Sequence, residues 1–68
     1  MKLIHSRVNN NYIELLNAGL DAGSAKIIAA KLRMRVILAV AVSDMGIHVD
    51  LYDVSVRTNQ TFVFSFAA

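Results

Sequence analysis

The sequence has no cysteine, no proline and no tryptophan, and only three glycines in 68 residues. Without cysteine there can be no disulfide framework and no thiolate metal site. That matters because a chain this short buries only about 60% of the surface its unfolded form exposes. Small natural domains often compensate with disulfides, a metal or a partner chain, and here the first route is closed. Without proline, turns must be read from Gly, Asn, Asp and Ser alone.

Long apolar runs are also scarce. The longest is VILAVAV, residues 36–42. A membrane-spanning helix needs about 20 apolar residues. Extension of this run meets Arg35, Arg33 and Lys31 on one side and Ser43 and Asp44 on the other. The opening MKLIHSRV carries no apolar core of a secretion signal. The expectation is a soluble, cytoplasmic protein of one domain, residues 1–68.

Apolar residues are abundant instead. They make up 56% of the chain, above the roughly 45–50% usual in soluble domains. One small domain has too little interior to hide that much, so self-association is expected, as a symmetric homodimer. Charge is nearly balanced, seven Lys and Arg against five Asp and Glu. Lys26, Lys31, Arg33 and Arg35 cluster in the middle, with Asp44, Asp50 and Asp53 after them.

Periodicity separates the chain into a helical and a strand half. KLIHSRV, residues 2–8, reads as a short first strand with poor alternation. Asn11 followed by Glu14 has the spacing of a capping box, and Tyr12, Ile13, Leu16 and Leu20, with Leu15 beside them, recur at helical spacing. AGLDAGSA, 18–25, allows two readings. Gly19 ends one helix and Asp21 or Ser24 starts another, or one helix runs through. The first is favoured. Ala25, Ile28, Ala29 and Leu32 then form an apolar stripe, with Lys26, Lys31 and Arg33 outside it.

From Met34 the pattern alternates with period two. Met34, Val36, Leu38, Val40 and Val42 share one face, and Ile37, Ala39 and Ala41 the other, as in a central strand covered on both faces. SDMG, 43–46, predicts a turn in which Gly46 supplies a positive φ. Ile47, Val49 and Leu51 share a face. The switch to Val54 and Val56 predicts a β-bulge near Tyr52 and Asp53. RTNQ, 57–60, reads as a second turn, and TFVFSF puts Phe62, Phe64 and Phe66 on one face. The fold class is α+β: one or two short helices on a three-stranded antiparallel meander, in the order β-α-α-β-β-β if the N-terminal strand forms.

Chemical motifs are few. His48, Asp50 and Asp53 in HVDLYD do not make the three or four converging ligands a metal needs, and His5 stands far off in sequence. No serine lies in a nucleophile-elbow context, and AGLDAGSAK lacks the phosphate-loop spacing. No catalytic residue, cofactor or metal is expected, and the chain does not read as an enzyme.

Two binding functions remain. The first is a protein-interaction module that binds, and in doing so blocks, a larger protein. Its interface would come from Ala39, Ala41, Val54, Val56, Phe62, Phe64 and Phe66, which cannot all enter one small core. The second is a small DNA-binding regulator. The helical pair would act as a helix-turn-helix, with Lys26, Lys31, Arg33 and Arg35 meeting phosphates.

Overall fold

The computed structural model describes residues 3–65, with side chains from Arg7 to Ser65. Two helices, α1 (Leu3–Asn17) and α2 (Ala22–Lys31), precede three strands, β1 (Arg35–Ser43), β2 (Gly46–Asp53) and β3 (Thr58–Ser65). The strands form one antiparallel sheet in the order β1-β2-β3. This is the expected α+β class. The expected N-terminal strand is replaced by helix from Leu3 onward. Val8 belongs to the same apolar stripe: it packs against the core together with Tyr12 and Leu15, so the helical pattern already includes the residue before the asparagines.

The break between the helices has a definite cause. Gly19 takes φ 108°, a conformation that costs a side chain energy. The Leu20 N–H donates to the Leu15 carbonyl at 3.1 Å and the Gly19 N–H to the Leu16 carbonyl at 3.0 Å. That pair of bonds is the Schellman motif, and Leu15 and Leu20, the residues flanking it, are both buried. Asp21 then caps α2, its carboxylate accepting from the Ser24 N–H at 3.1 Å. One face of α2 carries Ala25, Ile28 and Ala29 into the interior, with Leu32 just beyond its end.

The core lies between this helical layer and one face of the sheet. Leu15, Leu20, Ile28 and Leu32 meet Ile47, Val49 and Leu51 of β2, with Phe62 and Phe64 half-buried at the margin. β2 is the central strand, and β1 is an edge strand rather than the central one the sequence suggests. A bulge at Leu38 breaks the β1 register between Ile37 and Ala39. Ile37, Val40 and Val42 therefore oppose the inward residues Leu51, Val49 and Ile47. Val36, Ala39 and Ala41 oppose the outward residues Tyr52, Asp50 and His48. The bulge thus lies in β1, and the Tyr52–Asp53 region runs in unbroken register.

Both turns differ from the sequence reading in detail. SDMG does close the first hairpin, with Ser43 opposite Gly46, and the Ser43 hydroxyl accepts from the Met45 N–H at 3.3 Å. Gly46, however, is not in the positive-φ region. A Cβ there would run into the Phe64 carbonyl of β3, so close strand approach is what requires glycine. The second turn is residues 54–57, not 57–60, because β2 ends at Asp53 and β3 already begins at Thr58. Arg57 closes it at φ 57°, and its N–H donates to the Asp53 carbonyl at 2.8 Å.

Asn11 is no helix cap. It sits in mid-α1, buried, and its Nδ2 donates to the Arg35 carbonyl at 2.9 Å. The bond ties α1 to the start of β1. Asn11→Ala would leave that carbonyl without its partner and should lower unfolding stability by about 1–3 kcal/mol, read as a shift of the urea midpoint. A loss near zero would show that water replaces the amide.

Candidate interaction surfaces

The residues expected to form one protein interface are distributed over three places. Ala39 and Ala41 are exposed on the outer face of the sheet, beside His48 and Asp50. Phe62 and Phe64 stand on the opposite, helix-covered face, with ring centroids 6.3 Å apart in edge contact. Val54 and Val56 are 45% and 58% exposed in the β2–β3 turn. Phe66 lies outside the described residues. The separation follows from the β1 bulge and from the early end of β2, neither of which leaves a mark in the apolar pattern.

The basic cluster also divides. Lys26, Lys31 and Arg33 are exposed. Arg35 is held inside a network. Its Nε lies 3.1 Å from Gln60 Oε1 and 3.4 Å from Asp53 Oδ2, its Nη1 donates to the Lys31 carbonyl at 3.5 Å, and its guanidinium stands 4.7 Å from the Phe62 ring centre, within cation–π range. One side chain thereby joins the end of α2 to all three strands and closes the end of the core. Arg35 holds the fold here, and as placed its guanidinium is engaged rather than free for a phosphate.

Asp53, the buried partner of this network, accepts from the Ser55 hydroxyl at 2.6 Å and the Ser55 N–H at 2.9 Å. The Ser55 hydroxyl bond is the main force holding its carboxyl below the usual value of 3.8. The Ser55 amide and the Arg35 charge add to it, while burial opposes it. Asp21 is lowered too, chiefly by the Ser24 amide it caps. A carboxyl depressed by folding contributes stability that is complete above its unfolded pKa and is lost as pH falls through the folded one. Stability should therefore stay level from neutral pH down to about 5 and decline below about 3.8. Asp53→Asn should flatten that acid limb. An acid limb identical to wild type in urea titrations would refute the role given to Asp53.

Sequence reasoning missed Asn11 and Arg35 as ties. Asn11 could have been found, because it falls on the stripe of Val8, Tyr12 and Leu15, where a polar residue must have a buried partner. Arg35 gave no comparable sign. Among the described residues no three of His, Asp and Glu converge as metal ligands, and no helix is long and apolar enough to cross a membrane. The described residues form concavities that are open to solvent. One lies between α2 and the sheet, lined by Ile27, Ile28, Lys31, Ile47 and Phe64.

The sheet has two open edges of different character. β1 carries the bulge at Leu38 and the charged Arg35, and α1 is fastened beside its start through Asn11. β3, TNQTFVFS, has no charged residue, no proline and no break in its register with β2. Natural edge strands are normally protected from pairing by such features. Among the described residues, fold and surfaces together define a small two-layer α+β domain with one sheet edge that carries such features and one, β3, that carries none. Comparison with protein-family models, with curated proteins and with solved structures finds no match.

Proposed function

We propose that this chain is a protein-interaction module that acts by binding another polypeptide along β3, with blocking of a larger protein as the outcome of such binding. The observation that carries this reading is the uncharged, unbulged edge of β3. Its outward main-chain groups can continue the sheet into an added strand, the mode known as strand addition. Side chains on both faces suit it. Thr61 and the 57%-exposed Val63 stand on the outer face, and half-buried Phe62 and Phe64 stand on the inner one. The apolar excess of the sequence supports the reading, since Leu38, Val63, Val56 and Ile27 remain largely exposed.

The test compares wild type with a Thr61→Lys, Val63→Lys double variant. Both side chains are exposed, and edge lysines discourage pairing. A polypeptide bound by wild-type protein should be released at least tenfold more readily by the variant. Equal retention would remove β3 as the docking element.

Less supports the regulator reading. The first residues of α2, which would read bases, are Ala22, Gly23 and Ser24, and Arg35 is engaged by Asp53 and Gln60. Lys26, Lys31 and Arg33 are exposed and speak for it. Under that reading, a mixed-sequence duplex should bind and be released steeply between 50 and 200 mM salt, in proportion to the phosphates contacted, by roughly an order of magnitude or more.

A further inference from the structure

We infer that the strand added to β3 is β3 of a second copy of this chain, antiparallel, with the two-fold axis at Phe62, so that two three-stranded sheets become one. The inference rests on the strand-addition reading above and names its occupant.

A two-fold across an edge places the same segment on both sides, so the segment must tolerate itself. Charged strands fail this requirement, because like charges directly opposite one another are destabilising. TNQTFVFS passes it, having no charge at any of its positions. Register is restricted further. Paired residues in an antiparallel sheet point to the same face, so residues of even number on β3 must meet even and odd must meet odd. Two centred registers then use most of the strand.

With the axis at Thr61, Gln60 opposes Phe62 of the other copy, Thr58 opposes Phe64 and Asn59 opposes Val63. Thr61 meets Thr61, a favourable pair, but each of the other three sets a polar side chain against an apolar one. With the axis at Phe62, the two Phe62 rings are opposite each other, Thr61 opposes Val63 and Asn59 opposes Ser65 on the outer face, and one polar–apolar kind of pair, Gln60 with Phe64, remains. Aromatic and β-branched pairs such as Phe62 with Phe62 and Thr61 with Val63 are the favourable cross-strand contacts. The second register is the one the side chains fit better.

The surroundings agree. Phe62 and Phe64 are only half-buried in one copy, and they stand on the edge strand of the sheet. The groove between α2 and the sheet, with its exposed Ile27, opens beside Phe64 and Ser65, so a second copy extends the contact beyond the strands. A standard interface takes about 800 Å² from each partner, about one-sixth of the 4799 Å² this chain exposes. Seam and groove together are where that area can come from. At the other edge, the Leu38 bulge and α1 oppose the same arrangement.

The experiment is solution mass across concentration for wild type and two outer-face variants, with helical content checked by circular dichroism. Wild type should have twice the 7.5 kDa mass of one chain. Thr61→Lys with Val63→Lys puts lysine opposite lysine in both pairs of positions 61 and 63, and should weaken the dimer at least tenfold. Thr61→Lys with Val63→Asp puts lysine opposite aspartate in this register and should restore it. With the axis at Thr61, lysine would still face lysine and no rescue would follow. A wild-type monomer, a dimer unaffected by the two lysines, or a failed rescue would each overturn the inference. A second measurement needs no variant. Amide exchange in β3 should slow as concentration rises while that in α1 does not, and concentration-independent exchange in β3 would also overturn it. If wild type is monomeric yet still retains another protein in a β3-dependent way, strand addition stands and only its occupant is wrong.

Discussion

Gly46→Val should abolish cooperative unfolding, and Gly46→Ala should come close to doing so. Gly46 opens β2, pairs with Ser43 and Ser65, and is buried between the two edge strands. Its missing Cβ leaves room for the Phe64 carbonyl, and a methyl group there would also press on the Phe64 carbonyl carbon and Ser65 Cα at 3.2 and 3.1 Å. These are backbone atoms and cannot rotate aside. Overpacking against side chains typically costs about 1–3 kcal/mol. Here the alternative is to separate β3 from β2 at the end where Phe64 covers Ile47. A domain of 68 residues has total stability of roughly 3–10 kcal/mol, so a backbone clash costing more than that side-chain range removes most or all of it. Thermal unfolding followed by circular dichroism measures it. Gly23→Ala is the contrast, at the cost of a close contact with the oxygen of Asp21 that caps α2. Its new Cβ would meet only Asp21 Oδ2, a side-chain atom, at 3.3 Å, and the helix gains from alanine. If Gly46→Ala unfolds at the wild-type temperature, the close approach of the two strands is wrong.

Leu51→Ala is the second large effect. Leu51 is fully buried in the central strand, opposite Ile37 on one side and Gln60 on the other. Removal of a buried leucine side chain costs about 2–5 kcal/mol, toward the upper part of that range where the site cannot collapse. Strands on both sides and helices above restrict collapse here. For a domain of this size each kcal/mol moves the melting temperature by about 4–8 °C, so a fall of tens of degrees is expected. Ile13→Ala, at a residue 52% exposed on α1, should change it by only a degree or two. Equal shifts for the two would mean that the core is not where Leu51 places it.

Much of this architecture could be read from residue order. The stripe Ala25, Ile28, Ala29, Leu32 lies inside as its spacing requires, and Ile47, Val49 and Leu51 line the core as alternation requires. His48 and Asp50 separate the apolar residues of β2, and Lys26, Ala30 and Lys31 do so in α2 with Ile27 the one exception, so the period is visible. VILAVAV has no such contrast. Every position is apolar, so phase is undefined, and the bulge at Leu38 that sets it leaves no trace in the pattern. This bulge and the end of β2 at Asp53 distribute the apolar surface residues over separate places. Ala39 and Ala41 belong to the outer face, Phe62 and Phe64 to the inner one, and Val54 and Val56 to a turn. Only with the strands in place does β3 emerge as the unprotected edge.

The sequence alone determined the fold class, the inward face of β2 and the stretch, 18–25, in which the helices part, with Asp21 and Ser24 both open as the start of α2. These depend on contacts within a few residues, on backbone freedom and on the alternation of polar with apolar side chains. Tertiary structure decided which strand is central, where the bulge falls, why residue 46 is glycine, and what Asn11 and Arg35 hold. Each of those depends on groups a dozen or more residues away whose approach no local pattern encodes: Asp50 and Leu51 opposite the bulge at Leu38, Phe64 against Gly46, the Arg35 carbonyl against Asn11, Gln60 and Asp53 around one guanidinium.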